Sequence, residues 1–257
     1  MSDLGATLSR HGIRLDKSFG QHLLVDPSAL RKIVDLAEIK PGERVLEIGP
    51  GAGNLTLALC AAGAHVEAVE LDRRWDGVLS ERLAGQDVTL TWGDALKADL
   101  PPADKLVANL PYNVAGPILG RVLPMSLHLY VFALQLEVAE RAVAQVGDPR
   151  HGSLSLFIAY YGRAQLALRI PPGAFLPPPK VRSAIVRIRP HSAAPVDVAV
   201  DRLFPVIRTA FTHRRKTIAN ALGVRPELIR AAGVDPLLRP QMLSLHDFAA
   251  LVRAGVY

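Results

Sequence analysis

Short apolar runs alternate with amphipathic stretches along the first three quarters of the chain. Arg44–Ile48 is mostly apolar and leads into a glycine-rich loop, which predicts a buried strand that turns into a helix. The further predicted strands are His65–Glu70, Val88–Trp92, Lys105–Asn109, Leu127–Gln135, Gln165–Ile170 and Val181–Ile188. Predicted helices follow the Asp26-Pro27 cap and cover Asn54–Leu59, Arg73–Leu83, Leu136–Gln145 and Ser153–Tyr161. This order predicts an α/β fold with a doubly wound, mostly parallel sheet whose ligand lies at the carboxyl ends of the strands.

The pattern becomes purely helical after the linker-like segment Pro190–Val196. Helices are predicted over Val198–Thr212, Arg215–Leu222, Pro226–Ala232 and Leu245–Ala254. The sequence therefore predicts two domains, an α/β domain over 1–191 and a small helical domain over 192–257.

Composition is that of a globular protein, with 257 residues, 49% apolar residues and 21% charged residues. No run is long and apolar enough to span a membrane, and the single cysteine, Cys60, fits a reducing compartment. We therefore expect a cytoplasmic protein with no membrane partner.

Charge is distributed unevenly. The formal net charge is +6, but residues 1–148 carry −5 and residues 149–257 carry +11. Such a field attracts phosphate polymers, although solvated basic faces would give the same count. The densest cluster, Arg214, Arg215 and Lys216, lies at the start of the predicted helix Arg215–Leu222 and is the candidate RNA-binding element.

Polar residues at three strand ends suggest a nucleoside site. The loop Gly49-Pro50-Gly51-Ala52-Gly53 allows close backbone approach to a ligand, and Glu70 lies 21 residues after Gly49 at the end of the next strand. A carboxylate there accepts hydrogen bonds from a ribose diol, and Asp94 at the next strand end suits an adenine amine. The glycine spacing departs from that of NAD-binding loops, so S-adenosyl-L-methionine is the better candidate, and we expect no metal.

The turn Asn109-Leu110-Pro111-Tyr112-Asn113 follows the strand Lys105–Asn109 and indicates the reaction. The side-chain oxygen of Asn109 and a main-chain carbonyl of Leu110 or Pro111 can each accept one hydrogen of an adenine amine. Tyr112 can stack on the base. Alternatively, the turn is a buried structural element with Asn109 as a cap.

These motifs together resemble the family of ribosomal RNA small-subunit adenine N6,N6-dimethyltransferases (KsgA type). The blocks that match, in order from about Lys17 to Leu222, are Ser18–Asp26, Glu47–Thr56, Asn109–Asn113, Gln135–Arg141, Gly152–Ser155, Phe175–Val181 and Arg214–Thr217. The resemblance implies a seven-stranded class I methyltransferase sheet that binds S-adenosyl-L-methionine. It also implies dimethylation of two adjacent adenosines near the 3′ end of 16S rRNA in a small-subunit precursor, as part of ribosome biogenesis, by a protein we expect to be a monomer.

The resemblance also implies roles for individual residues. His22 and Leu24 would contact the methionine part or the ribose of the cofactor, and Gly49 and Gly51 would approach it through backbone. Glu70 would hold the ribose and Asp94 the adenine. Asn109 would bind both the cofactor and the target amine, and Tyr112 and Phe175 would sandwich the base.

Some positions depart from the family pattern. His22-Leu23 follow Gln21 where the family often has Asn-Phe, and Ala115-Gly116 replace a frequent hydroxyl residue before Pro117. Leu136 replaces a frequent lysine, and Trp75 replaces an aliphatic residue and would either cover the cofactor adenine or pack in the core. Asn109, Tyr112 and Glu70 are retained, so we expect an active enzyme.

Three other functions fit part of the sequence. The related large-subunit rRNA adenine methyltransferases more often have Ile in the position of Leu110, and the blocks Phe175–Val181 and Arg214–Thr217 favour the small-subunit type. The DNA adenine methyltransferases commonly have Pro in the place of Leu110. A non-catalytic ribosome-assembly or RNA-binding factor could keep the fold without turnover.

Overall fold

The computed structural model describes residues 2–13, 15, 22–125 and 127–257. Its strands are β1 (Leu23–Leu24), β2 (Arg44–Ile48), β3 (His65–Glu70), β4 (Val88–Trp92), β5 (Lys105–Asn109), β6 (Leu129–Gln135), β7 (Gly162–Ile170), β8 (Phe175–Leu176) and β9 (Ser183–Pro190). Its α-helices are α1 (Ser2–Arg10), α2 (Pro27–Ala37), α3 (Asn54–Ala61), α4 (Asp76–Arg82), α5 (Ala115–Val122), α6 (Leu136–Ala142), α7 (Ser153–Tyr161), α8 (Val200–Thr212), α9 (Ile218–Leu222), α10 (Pro226–Ala231) and α11 (Leu245–Arg253).

One mixed sheet organises the first part of the chain. Within the described residues it has seven strands in the order β4-β3-β2-β5-β6-β9-β7. The neighbours from β4 to β6 pair in parallel, and β9 pairs antiparallel to β6. The predicted α/β, doubly wound and mostly parallel sheet is therefore confirmed.

The strands are apolar because both faces of the sheet are covered. In β2 every residue after Arg44 is buried, and β6 is buried along its first six residues. Helices α2 and α3 pack on one face and contribute Ile33 and Leu59 to its core. A second cluster lies around Trp75 and contains Leu8 of α1, Leu23 and Leu79.

The N-terminus of α2 forms as its sequence predicts. The side chain of Asp26 accepts a hydrogen bond from the Ala29 amide at 2.7 Å, and Pro27 occupies the first turn, where its missing N–H matters little. This cap fixes where the chain leaves β1 and enters the helix.

The chain divides into two compact units. The first unit is Met1–Ala139 with Gln165–Arg189, and the second is Glu140–Ala164 with Pro190–Tyr257. The predicted domain boundary lies between residues 191 and 192, two residues after the division that the structure shows between Arg189 and Pro190. However, the prediction placed all of 1–191 in one domain, whereas α7 belongs to the second unit and contributes Leu156 to its core. The apolar face of α7 packs there with Phe204 and other residues of α8.

Several elements differ from the sequence prediction. Helix α5 was missed because Gly116, Pro117 and Gly120 lower its helix propensity, and burial of Ile118 and Leu119 overrides them. The stretch predicted as one helix from Arg73 begins as a 3-10 turn before α4, and the short pair β1–β8 was not predicted.

The predicted helix over Arg215–Leu222 was wrong at its start. The cluster Arg214, Arg215 and Lys216 lies in the turn between α8 and α9, and the helix begins only at Ile218. Three adjacent cations at a helix N-terminus would oppose its dipole, which favours this later start.

The structure describes only part of the opening motif. Residues 18–21 of this motif lie outside the described residues, and the motif is described from His22 onward. Among the residues described, no helix combines the length and the apolar character that crossing a membrane requires.

Replacing Asp26 with alanine should lower the free energy of unfolding by about 1 kcal/mol, because the Ala29 amide loses its cap. Urea denaturation monitored by circular dichroism measures this. Asp35→Ala is the matched control, since Asp35 lies exposed on the same helix, and it should change stability by less than about 0.5 kcal/mol. Equal losses in both variants would contradict the assigned cap.

Candidate active site

Three adjacent parallel strands end at one edge of the sheet and form a cleft there. β2 lies between β3 and β5, so the glycine loop, Glu70 and Asn109 come together. The predicted site residues that line it are His22, Leu24, Gly49, Gly51, Glu70, Asn109, Leu110, Pro111 and Tyr112.

The glycine loop presents main chain to the cleft. Gly51 has φ 55°, and a Cβ there would lie 2.9 Å from Cδ2 of Leu23. A side chain at this position would be both strained and crowded. Glycine thus keeps the loop close to β1 and leaves its backbone accessible to a ligand.

Glu70 is anchored by main-chain amides. One oxygen accepts from the Gly51 amide at 3.0 Å and the other from the Asp72 amide at 2.8 Å. The side chain is buried, and burial raises its pKa above the usual range. Each carboxylate oxygen has a further lone pair, so the pair can still accept two hydroxyl groups of a ribose.

The amide of Asn109 is oriented by the chain that leads into β1. Its nitrogen donates to the carbonyl oxygen of His22 at 2.9 Å. Because a carbonyl only accepts, this contact fixes which end of the amide is the oxygen, and no described residue donates to that oxygen. The side-chain oxygen of Asn109 is therefore available as an acceptor.

The two main-chain carbonyls that follow differ in their partners. The Pro111 carbonyl accepts from the Val114 amide at 3.2 Å, whereas no described residue donates to the carbonyl of Leu110. Leu110 is thus the stronger candidate for a second acceptor beside Asn109.

Two neighbouring side chains restrict the ring of Tyr112. Its hydroxyl lies 2.5 Å from the Ser183 hydroxyl, and its ring lies 5.3 Å from the His22 ring at an interplanar angle of 30°. The imidazole of His22 contacts the Pro177 carbonyl at 2.7 Å. Burial raises the pKa of the Tyr112 phenol, so the ring is neutral and placed for stacking.

Glu47 brings a second carboxyl group to the cleft. It is 1% exposed, and one of its oxygens is buried without a hydrogen-bond partner among the described residues. Burial raises its pKa to about 8, and the nearby Glu70 carboxylate adds to the shift. Glu47 is therefore protonated at neutral pH when the cleft is empty of other charges.

Two predicted residues do not line the cleft. Phe175 is 2% exposed and packs in the core beside β1, where it pairs with Leu24, so neither face of its ring is open to a base in this conformation. The amide of Gly93 donates to the main-chain carbonyl of Glu70. The carboxylate of the next residue, Asp94, instead accepts from the Leu96 amide and pairs with Lys97.

Sequence reasoning missed three residues at or beside the cleft and left the role of a fourth, Trp75, open. Glu47 was visible as a lone carboxylate in an apolar strand, and Trp75, considered for both cofactor contact and packing, is 2% exposed and also lines the cleft. Asn54 donates to the Leu24 carbonyl at 2.9 Å, and Ser183 holds Tyr112. No local pattern signals these last two contacts, because they join distant parts of the chain.

The cleft fits a nucleoside that carries an amine and a ribose. It offers the amide-anchored carboxylate of Glu70, the side-chain oxygen of Asn109 and a side-chain-free approach at Gly51. S-adenosyl-L-methionine has hydroxyl and ammonium donors for these acceptors.

Comparison with known families agrees with this geometry. The family model described as ribosomal RNA adenine dimethylase matches residues 12–236. The chain belongs to this family. It is therefore an S-adenosyl-L-methionine-dependent rRNA adenine dimethyltransferase, which confirms the predicted enzyme class and cofactor.

Curated relatives align with this adenine dimethyltransferase over most of its length. The ribosomal RNA small subunit methyltransferase A of Thermosynechococcus vestitus is 40% identical, with 93% of this chain and 96% of the relative aligned. The protein of the same name from Phenylobacterium zucineum is 42% identical, with 98% of this chain and 92% of the relative aligned.

Solved structures share the fold of the dimethyltransferase. A dimethyladenosine transferase from Plasmodium falciparum superposes with a TM-score of 0.79 at 28% identity and covers 91% of this chain and 99% of its own. The 23S rRNA methyltransferase ErmE gives a TM-score of 0.70 at 26% identity and covers 90% of this chain and 98% of its own. The predicted class I methyltransferase sheet is thus confirmed.

The stability of the dimethyltransferase should fall as pH rises from about 5 to about 8. An unfolded Glu47 loses its proton near its ordinary pKa of 4.5, whereas the native carboxyl keeps it until about pH 8. The native state therefore binds the additional proton in this window, and unfolding becomes easier with rising pH. In Glu47→Gln, the free energy of unfolding should fall less between pH 5 and pH 8, by on the order of a few kcal/mol. Denaturation measured across this pH range gives the difference.

Glu137→Gln provides the control for this measurement, because Glu137 is exposed. It should keep the pH profile of the unmodified protein. An unchanged profile in Glu47→Gln would refute the assigned buried proton.

Proposed function

We propose that this enzyme transfers methyl groups from S-adenosyl-L-methionine to the N6 amines of two adjacent adenosines near the 3′ end of 16S rRNA. The observation that carries the proposal is the pair of acceptors at the end of β5. The Asn109 side-chain oxygen is aimed by the His22 carbonyl, and the Leu110 carbonyl beside it has no described donor. The substrate in the cell is a precursor of the small ribosomal subunit, and the enzyme acts in the cytoplasm as a monomer.

Asn109 and Leu110 activate the amine by positioning it. The lone pair of an adenine amine is delocalised into the ring, so the nitrogen is a weak nucleophile. Two acceptors that each take one amine hydrogen favour a pyramidal nitrogen whose lone pair points away from the ring. Positioning in a reactive geometry supplies much of the rate enhancement, so no general base is required.

Tyr112 supplies the stacking surface for the extruded base. Its hydroxyl contact with Ser183 and its neighbour His22 restrict the ring, which lowers the entropy lost on stacking. Phe175 completes the sandwich only if its ring is uncovered, because it is 2% exposed here. Base extrusion costs a few kcal/mol, and less where the nucleotide is already unpaired.

The residues around the glycine loop hold the cofactor. Bound S-adenosyl-L-methionine supplies a sulfonium whose methyl carbon is electrophilic. Glu70 accepts the ribose hydroxyls, Gly49 and Gly51 approach through backbone, and His22 and Leu24 contact the methionine part or the ribose. Asp94 accepts from the adenine amine, for which its carboxylate must exchange its contact with Lys97.

The curated relatives support the small subunit as substrate over the large subunit. Relatives named small subunit methyltransferase A are about 40% identical over more than nine tenths of the chain, whereas the 23S rRNA methyltransferase ErmE is 26% identical. The intact acceptor pair at Asn109 and Leu110 supports an enzyme over a non-catalytic assembly factor.

Asn109→Ala and Tyr112→Ala should each abolish transfer of tritiated methyl groups to undermethylated small subunits. The first removes an amine acceptor and the second the stacking surface. Cofactor affinity, measured by calorimetry, should fall more in Asn109→Ala, because the Asn109 amide also holds the carbonyl of His22, a proposed cofactor contact. Gln86→Ala removes an exposed amide elsewhere and should retain full activity.

Primer extension on both rRNAs locates the product, because dimethylated adenines stop reverse transcription. Stops near the 3′ end of the small-subunit rRNA are expected. Stops confined to large-subunit rRNA would overturn the proposed substrate, and cofactor binding without any methyl transfer would favour the non-catalytic alternative.

The second unit contributes phosphate contacts through Arg214, Arg215 and Lys216. All three side chains are exposed in one turn, and Arg214 is steadied by a contact with the Pro149 carbonyl at 2.5 Å. Contacts of this kind set the register of RNA and leave sequence to be read elsewhere.

Replacing Arg214, Arg215 and Lys216 with alanine should reduce the salt dependence of RNA binding. Each lost phosphate contact removes about 0.7 to 0.9 from the slope of log affinity against log salt, so the triple variant should lose about 2. Filter binding to small subunits at several salt concentrations measures the slope. The control replaces Arg31, Lys32 and Lys40, which are exposed, with alanine. It lowers the net charge by the same amount and should keep the salt-dependence slope of the unmodified protein. Equal slopes in the two triple variants would refute the assignment.

A further inference from the structure

The second unit contains a cavity of about 430 Å³ that shares no lining residue with the cofactor cleft. Every lining residue belongs to Glu140–Ala164 or Pro190–Tyr257. Its floor is apolar and includes Leu156, Ile158 and Leu245. The volume falls in the range of about 300–1,000 Å³ that is usual for small-molecule sites.

The charge of this cavity suits an anion. No carboxylate lines it among the described residues, whereas Arg163, His151, His191 and His246 all do. Arg163 is exposed, and its guanidinium has no partner among the described residues. An unpaired guanidinium at the opening of a cavity is suited to a phosphate, which it can bind through two parallel hydrogen bonds.

His151 presents a hydrogen-bond acceptor to the same cavity. The side chain is 3% exposed, and its Nδ1 lies 3.0 Å from the Gln241 carbonyl, so Nδ1 carries the hydrogen. Burial lowers the pKa of the ring, which favours the neutral form, so Nε2 is an acceptor. Gln241 does not line the cavity, and the ring edge that remains for a ligand therefore carries Nε2.

His191 adds a second imidazole. Its Nε2 lies 3.0 Å from the Ala159 carbonyl and therefore donates, which leaves Nδ1 as the ring nitrogen available to a ligand. His246 lies exposed in the first turn of α11, whose Ser244 and Asp247 side chains cap each other. The Asp247 carboxylate is thus engaged with the helix cap.

We propose that this cavity binds one ribonucleotide of the rRNA substrate, with its base inside and its phosphate on Arg163. The apolar floor accepts a planar base, and the His151 acceptor and the available His191 nitrogen match hydrogen-bonding groups on the base edge. The arrangement excludes a cationic ligand, since nothing lining the cavity carries a negative charge. The site anchors a nucleotide other than the one that is methylated. The inference therefore rests on the proposed rRNA substrate but not on the acceptors at Asn109 and Leu110.

Titration with the four ribonucleoside 5′-monophosphates tests the site directly. The full-length protein is first saturated with S-adenosylhomocysteine, which occupies the cofactor cleft, and binding is followed by calorimetry. At least one monophosphate should bind, and Arg163→Ala should weaken it roughly tenfold, as expected for loss of a charge-assisted contact. The corresponding nucleoside should be insensitive to Arg163→Ala, and His151→Phe should weaken both ligands.

Two further variants keep the test independent of folding defects. Ala159→Trp places a large side chain at the wall of the cavity on an exposed helix position and should prevent binding without lowering the melting temperature. Arg225→Ala removes an exposed arginine of the same unit that does not line the cavity and should bind normally. Absence of saturable binding, or binding that survives Arg163→Ala and Ala159→Trp, would overturn the proposal. Binding of inorganic phosphate alone, unaffected by His151→Phe, would do the same.

Methyl transfer to small subunits separates an rRNA nucleotide from a free one. If the cavity holds rRNA, Arg163→Ala should raise the KM for the particle severalfold and leave kcat and cofactor affinity unchanged. An unchanged KM, together with normal mononucleotide binding, would show a site for free nucleotides and overturn the assignment to rRNA. Loss of all transfer in the unmodified protein would instead refute the proposed function while the mononucleotide result stands.

Discussion

Parallel pairing of β2 with β3 on one side and β5 on the other is the constraint on which the active site depends. Because the three strands run in the same direction, their carboxyl ends meet at one edge, and Glu70 and Asn109 flank the glycine loop there. No single segment contains the site. A shift in the pairing of any of these strands would separate Glu70, the proposed ribose acceptor, from Asn109 and Leu110, the proposed amine acceptors, while leaving every local motif unchanged.

Much of this arrangement could be predicted from the sequence, because apolar runs and strand-end motifs are local. The strands β2 to β5 have the predicted bounds, and residues at or just after the ends of β2, β3 and β5 line the cleft, whereas Asp94 after β4 does not. What could not be predicted depends on distant contacts. Helix α5 forms against its propensity because Ile118 and Leu119 become buried, and Ser183 reaches Tyr112 from another strand. The burial of Phe175 is likewise a property of the packed chain.

The two carboxyl groups of the cleft show how burial sets chemistry. Glu47 and Glu70 lie in adjacent strands and are both buried, yet their surroundings differ. Glu70 has an amide donor on each oxygen, whereas Glu47 has an oxygen without a partner. Burial raises the pKa of both, but the amides favour the charged form of Glu70 and partly offset the effect. One group is thus suited to accept hydroxyl hydrogens, and the other retains its own proton.

The attachment of Asn109 to the His22 carbonyl links the amino end of the chain to the reaction. β1 itself is only two residues long, and it is held by Phe175–Leu176 and by the Asn54 amide. A version of the protein trimmed back to Asp26 would keep the strands of the seven-stranded sheet, but it would lose Leu24 from the core beside α2 and Leu8 and Leu23 from the cluster around Trp75. It would also free the amide of Asn109 to rotate, because the His22 carbonyl would be gone. The segment before α2 therefore supports both the packing around the sheet and the orientation of this amide.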